Sequence, residues 1–211
     1  SCSNYGFGYF HAYRHMASRP DLDLVLHLGD YFYEHASFGE GFFYGAAREL
    51  DPPWEIVTLD DYRRRYAHYR KDADLQELHR QHPMVHAWDD HEFADNPEIG
   101  GSANHDPDVE GPWEDRVAGA LQAYGEWMPT RLDGNRIYRE LVFGDLAHVI
   151  LTDRQRRFLW PDDADGGAYL GLEQQTWLDE HIADSTTRWL VLGQGTTFAP
   201  RRADGVSGAS W

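Results

Sequence analysis

The chain has 211 residues, 41% of them hydrophobic, a formal net charge of -17 and one cysteine, Cys2. That length and apolar content suit a single domain with a sizeable core. The charge argues against a basic nucleic-acid footprint, the lone cysteine excludes an intrachain disulfide, and no apolar run nears the roughly 20 residues of a membrane span.

Ser1 to Asn4 is small and polar and reads as the exit of a strand whose body precedes residue 1. The chain opens without Met, so an upstream segment is expected. Phe7, Phe10, Tyr13 and Met16 recur at near-helical spacing, which predicts a helix from about Gly8 to Ser18, stopped by Pro20. Leu24 to Leu28 is an apolar run that meets Gly29 and then delivers Asp30, Tyr33 and Glu34. It reads as a buried parallel strand whose C-terminal end carries polar residues, the edge where open α/β sheets keep their ligands.

His35 to Pro53 is rich in Gly, Pro and aromatics and predicts a long ordered loop. Thr58, with Asp61 three residues on, predicts the start of a helix that runs to about Tyr69 or Lys71. Arg63, Arg64, Arg65, Arg70 and Lys71 read as its solvated basic face. Asp72 to Gln81 is a second helical piece with Leu75 and Leu78 inward, ended by Pro83.

Met84 to Trp88 is another buried strand, and Asp89-Asp90-His91-Glu92 follows it. Trp113 to Met128 is an amphipathic helix with Val117, Leu121, Tyr124 and Met128 on one face. Ile137 to Phe143 and Leu146 to Leu151 predict an antiparallel hairpin turned at Gly144-Asp145, with Asp153 just beyond it. A helix from about Leu172 to Ile182, a strand Trp189 to Gly193 and a polar loop from Arg201 to Trp211 complete the chain.

Three strand ends thus carry acids, Asp30, Asp89/Asp90 and Asp153, and His91 accompanies the second. An oxygen-rich set with one His suits Ca²⁺, Mg²⁺, Mn²⁺ or iron and does not suit a structural zinc site. Tyr33 could add a phenolate and Cys2 a thiolate. Taken singly, Gly-Asp after a strand recurs in many α/β proteins, Tyr33 is a packed aromatic and Cys2 a small buried hydrophobe; their coincidence at successive strand ends is what points to a metal.

Ser-Cys-Ser at 1–3, HLGDYFYE at 27–34, LDDYRRRYAHYRKDADLQ at 59–76, WDDHEFADN at 88–96 and GLEQQTWL at 171–178 resemble the PhoD-like alkaline phosphatases, within the calcineurin-like metallophosphoesterases. The resemblance implies an α/β fold, a four-layer αββα sandwich with mixed sheets. It also implies hydrolysis of small-molecule phosphate mono- and diesters by a metal-activated hydroxide, Fe³⁺ together with Ca²⁺, and a periplasmic or secreted location. By resemblance Cys2 and Tyr33 match iron ligands, Asp30 the bridging carboxylate, Asp90 and Asn96 the second-metal region, and His91 a catalytic His near the leaving group.

Two departures qualify the match. The family pattern Asp-x-Arg is here Thr152-Asp153-Arg154, and a one-residue shift on a strand turns a side chain to the opposite face, which bears on Asp153 as a ligand. Arg154 and Arg157 are candidates for a phosphate clamp. A late Gly-Asp-x-His segment has no counterpart before Trp211, so the sandwich is expected to be incomplete at both ends. A catalytically incomplete homologue acting as an accessory module is the alternative reading, and an acidic calcium-binding structural domain a third.

Overall fold

The computed structural model describes residues 1–37, 48–159, 169–196, 202–203 and 206–207, with the side chains of residues 157, 158, 202, 203, 206 and 207 outside the description. Strand β1 (Val25–Leu28) and strand β2 (Met84–Ala87) pair in parallel, Val25 opposite Met84 and Leu28 opposite Ala87. Both strands therefore end at one edge, which delivers Gly29-Asp30 and Trp88-Asp89-Asp90 to the same place.

The helix expected from Gly8 begins later. Gly8 takes φ 154°, and Tyr5–Phe7 ahead of it form a separate 3-10 turn, so α1 spans His11–Ala17. Helix α2 (Leu59–Tyr69) starts on the expected reciprocal cap: Thr58 Oγ1 accepts from the Asp61 amide, and Asp61 accepts from the Thr58 amide. Asp72 caps α3 (Ala73–Gln81) through the amides of Asp74 and Leu75. Strands β3 (Pro97–Glu98) and β4 (Gly101–Ser102) form a small antiparallel pair, followed by α4 (Pro107–Glu110) and α5 (Trp113–Trp127). Helix α5 crosses the start of α2 at Gly119, where a Cβ would lie 3.2 Å from the Leu59 amide nitrogen.

The hairpin is present as β5 (Arg139–Phe143) and β6 (Ala147–Leu151). After α6 (Arg156–Leu159) and α7 (Leu172–Ala183), β7 (Trp189–Gly193) joins β6 in parallel. The polar tail, expected as loop, contributes a minimal antiparallel pair, β8 (Arg202–Ala203) and β9 (Val206–Ser207). The fold is thus α/β. Of the long loop expected from His35 to Pro53, residues 38–47 lie outside those described; its two ends are joined by Ser37 N–H to Pro53 O at 2.8 Å. No helix among the described residues is long and apolar enough to cross a membrane.

Many of the aromatic side chains pack in the core. Tyr62, Tyr66 and Tyr69 of α2 are fully buried against Phe32, with Phe32 and Tyr66 edge-to-face at 4.6 Å. Arg65, read from the sequence as part of a solvated basic face, is also fully buried. Three tyrosines at helical spacing turn the same side of α2 inward, and Arg65 is carried in with them. Its guanidinium finds four main-chain carbonyls, those of Tyr33, His35, Pro52 and Trp54.

Candidate metal centre

Gly29 makes the turn out of β1 possible. It sits at φ 97°, and a Cβ there would lie 2.6 Å from the Asp89 Cβ, so both backbone conformation and space demand glycine. Asp30 follows at φ 54°. Among the described residues the non-glycine positions at positive φ are Cys2, Asp30 and Asn96, at 62°, 54° and 45°. All three belong to the ligand set expected by resemblance, and backbone strain of this kind concentrates at functional sites.

The N-terminal segment docks onto this turn, with Cys2 N–H on Gly29 O at 3.2 Å and Ser3 N–H on Asp30 O at 2.8 Å. Tyr33 donates its hydroxyl to Asp30 Oδ2 at 3.2 Å and lies ring-to-ring with His91 at 4.1 Å. Asp90 accepts from the Asn96 amide at 2.8 Å. Ligand atoms of Asp30, Asp90 and His91 all fall within 4.8 Å of one another. Cys2, Asp30, Asp89, Asp90, His91, Asn96 and Arg154 line one cavity of about 730 Å³.

Asp153 lies elsewhere. It is fully buried, and one carboxylate oxygen takes the Trp88 indole N–H at 2.8 Å and the Arg156 amide at 3.2 Å. It braces the ends of β2 and β6 and lines no part of the cavity. The side chain of Arg157 is outside those described.

Three acids absent from the expected ligand set shape the centre. Glu92, 1% exposed, accepts from the amides of Asp30 (3.1 Å), Tyr31 (2.6 Å) and Asp89 (2.8 Å), tying the two strand-end turns together. Glu34, fully buried, accepts from His91 Nδ1 at 2.7 Å and from the Asp95 amide at 2.6 Å. Asp89 is held by Gln155 at 2.5 Å and by Thr196 at 3.1 Å. Glu92 and Asp89 stand inside the WDDHE run, but contacts to amides elsewhere in the chain leave no mark in its spacing.

Electrostatics set these groups apart. Burial raises the Asp30 pKa, with Asp90 adding to the rise while His91 opposes it. Burial, then Asp90 and Asp30, push Asp89 up to about 7. Burial disfavours the charged ring of His91, yet Glu34, Asp90 and Asp30 outweigh it and bring the imidazole to about 10. Tyr33 and Cys2 are both raised, chiefly by burial and further by Asp30.

The donor set fits a hard cation. Asp30 Oδ1 is buried with no hydrogen-bond partner, and crowded carboxylates that resist ionisation are relieved by positive charge. The same crowding predicts a pH dependence. A carboxyl whose folded pKa is raised contributes stability that is present at low pH and lost as pH rises through the folded value. Cation-free protein should therefore lose thermal stability as pH rises from the ordinary carboxylate range to about 7, by which Asp89 has ionised, and added Ca²⁺ or Mn²⁺ should restore it at neutral to alkaline pH. Thermal scans that are flat in pH and indifferent to cation would remove the centre.

Comparison with known proteins shows the family. Residues 1–210 match the PhoD-like phosphatase family. Alkaline phosphatase D of Bacillus subtilis (strain 168) is 39% identical over an aligned length of 225, gaps included, that covers 94% of this chain and 36% of that protein. A solved structure of PhoD superimposes with a TM-score of 0.79 at 35% identity, covering 94% of this chain and 41% of that one. The chain thus spans a little over a third of the length of the curated relative it matches. On the extent of these matches, the chain belongs to the PhoD-like phosphatase family.

Proposed function

We propose that the chain forms part of a metal-dependent phosphoesterase that hydrolyses small-molecule phosphate mono- or diesters; its Bacillus relative is named alkaline phosphatase D. The observation that carries this reading is the convergence of Asp30, Asp90 and His91 on one spot in the cavity that Cys2 and Arg154 also line. Cys2, Asp30, Tyr33, Asp90 and Asn96 are the proposed metal-holding residues, with Asp30 as the bridge; Fe³⁺ with Ca²⁺ suits a set of carboxylates, phenol and thiol. Such cations supply, when bound, neutralisation of phosphate oxygens and activation of the attacking water.

The chain's own residues supply the rest. Arg154, on the cavity wall, binds phosphate oxygens, and Arg157 is the proposed second arm of that clamp. As the new phosphorus–oxygen bond forms from water, the bond to the leaving group breaks and its oxygen needs a proton. His91 donates it. Glu34 on Nδ1 fixes the ring and leaves Nε2 as the donating nitrogen, and the Glu34 carboxylate favours the protonated ring. Asp153 supports Trp88 behind the ligand set. A periplasmic or secreted location accords with hydrolysis of external phosphate esters.

The test is elemental analysis of the purified full-length protein together with turnover of aryl phosphate and bis-aryl phosphate at alkaline pH. Iron and calcium near stoichiometry, with turnover lost on chelation, are expected. Bound metal without turnover of either ester would favour the accessory-module reading, and no bound metal would overturn the proposal.

A further inference from the structure

A second cavity, of about 310 Å³, adjoins the first, and Cys2 lines both. Its walls come from residues 1–13, chiefly Phe7, Tyr9, Phe10 and Tyr13, and carry no charged side chain. Phe10 and Tyr13 are anchored in the core, whereas Phe7 and Tyr9 are 62% and 66% exposed. Between them Gly8 leaves open space, with no atom within 4 Å of a would-be Cβ.

A single exposed aromatic is ordinary on a protein surface. These two rings flank a glycine in a cavity that shares Cys2 with the candidate catalytic one, and part of the wall is held by a cation contact. The Arg48 guanidinium lies 4.8 Å from the Tyr9 ring and 4.9 Å from Phe10. Arg48 is itself locked by Asp72 at 2.6 Å and by the Tyr5 carbonyl at 3.2 Å. Cation–π contact holds an aromatic wall without burying its outer face. An uncharged, pre-set aromatic cleft suits a flat apolar group, which stacks on ring faces and needs no hydrogen bonds of its own.

We propose that this cavity is the subsite for the ester's organic group, and that it takes flat, uncharged aryl or heteroaryl groups in preference to alkyl ones. The inference rests on the phosphoesterase reading: with phosphate held beside Asp30 and Arg154, the substituent leaves the first cavity past Cys2 and meets Phe7 and Tyr9.

The test compares phenyl phosphate with ethyl phosphate in the full-length protein and in Phe7→Ala/Tyr9→Ala. The aryl-to-alkyl ratio of kcat/KM should fall about tenfold, mainly through KM, and Tyr9→Phe should retain it. The ratio of Kd values for phenylphosphonate and methylphosphonate, which need no turnover, should shift by a similar factor. Unchanged ratios in a folded variant overturn the subsite while leaving the phosphoesterase reading intact. If neither ester turns over, that reading fails, and the phosphonate ratio still decides the subsite. Phe7→Ala alone serves if the double variant does not fold.

Discussion

Asp30→Asn should lower kcat/KM for phosphate-ester hydrolysis by roughly a thousand-fold, about 4 kcal/mol, while leaving the fold intact. Asn is among the few side chains that tolerate positive φ, so the 54° backbone at position 30 survives the change. The Tyr33 hydroxyl can still donate to the amide oxygen. What disappears is a buried negative charge beside Asp90, Asp89 and Glu92, and with it the bridge proposed between cations. The two effects separate in one experiment. Without cation, the variant should unfold at a temperature equal to or above that of the parent, because like-charge crowding is relieved. With cation, it should gain far less than the parent does. Full turnover in the folded variant would take Asp30 out of the chemistry.

The strand ends were legible because their physics is local. Leu24 to Leu28 and Met84 to Trp88 are short apolar runs, and in the fold they pair in parallel and end at one edge. The Thr58–Asp61 cap was legible for the same reason, since both partners lie within one turn. The crowding of Asp30, Asp90 and His91 was foreseeable as convergence of strand ends, though not as a distance. Glu92 and Arg65 were not legible. One collects three amides from two separate turns, and the other collects four carbonyls from a loop on either side of residues outside the description. Their partners are main-chain groups, which any residue supplies, so no side-chain pattern announces them. Gly8 is a different case: the aromatic spacing from Phe7 to Met16 looked helical, and a glycine outside helical φ split it in two.

Arg65→Leu should destabilise the protein by about 3–5 kcal/mol, a large part of the stability of an ordinary domain. The apolar stem would be kept; the loss is the guanidinium, which is fully buried and serves the carbonyls of Tyr33, His35, Pro52 and Trp54 at once. Without it four carbonyls, one of them fully buried and the others partly so, lose the donor they share, and each such loss is costly. Lysine is a weaker substitute, because a compact ammonium cannot fork toward four acceptors held at fixed angles. Arg65→Lys should therefore recover only part of the loss. Urea unfolding measures this as a fall in midpoint with an unchanged slope. The effect should also reach the metal centre. The Tyr33 carbonyl is one of the four acceptors, and the Tyr33 hydroxyl donates to Asp30. Arg65→Lys, if folded, should bind cation more weakly than the parent, although residue 65 lines no part of the cavity. A midpoint within about 1 kcal/mol of the parent for Arg65→Leu would show that the four carbonyls find other partners. Undiminished cation affinity in Arg65→Lys would show that Tyr33 is positioned from its ring side, by His91 and Asp30, and not from its backbone.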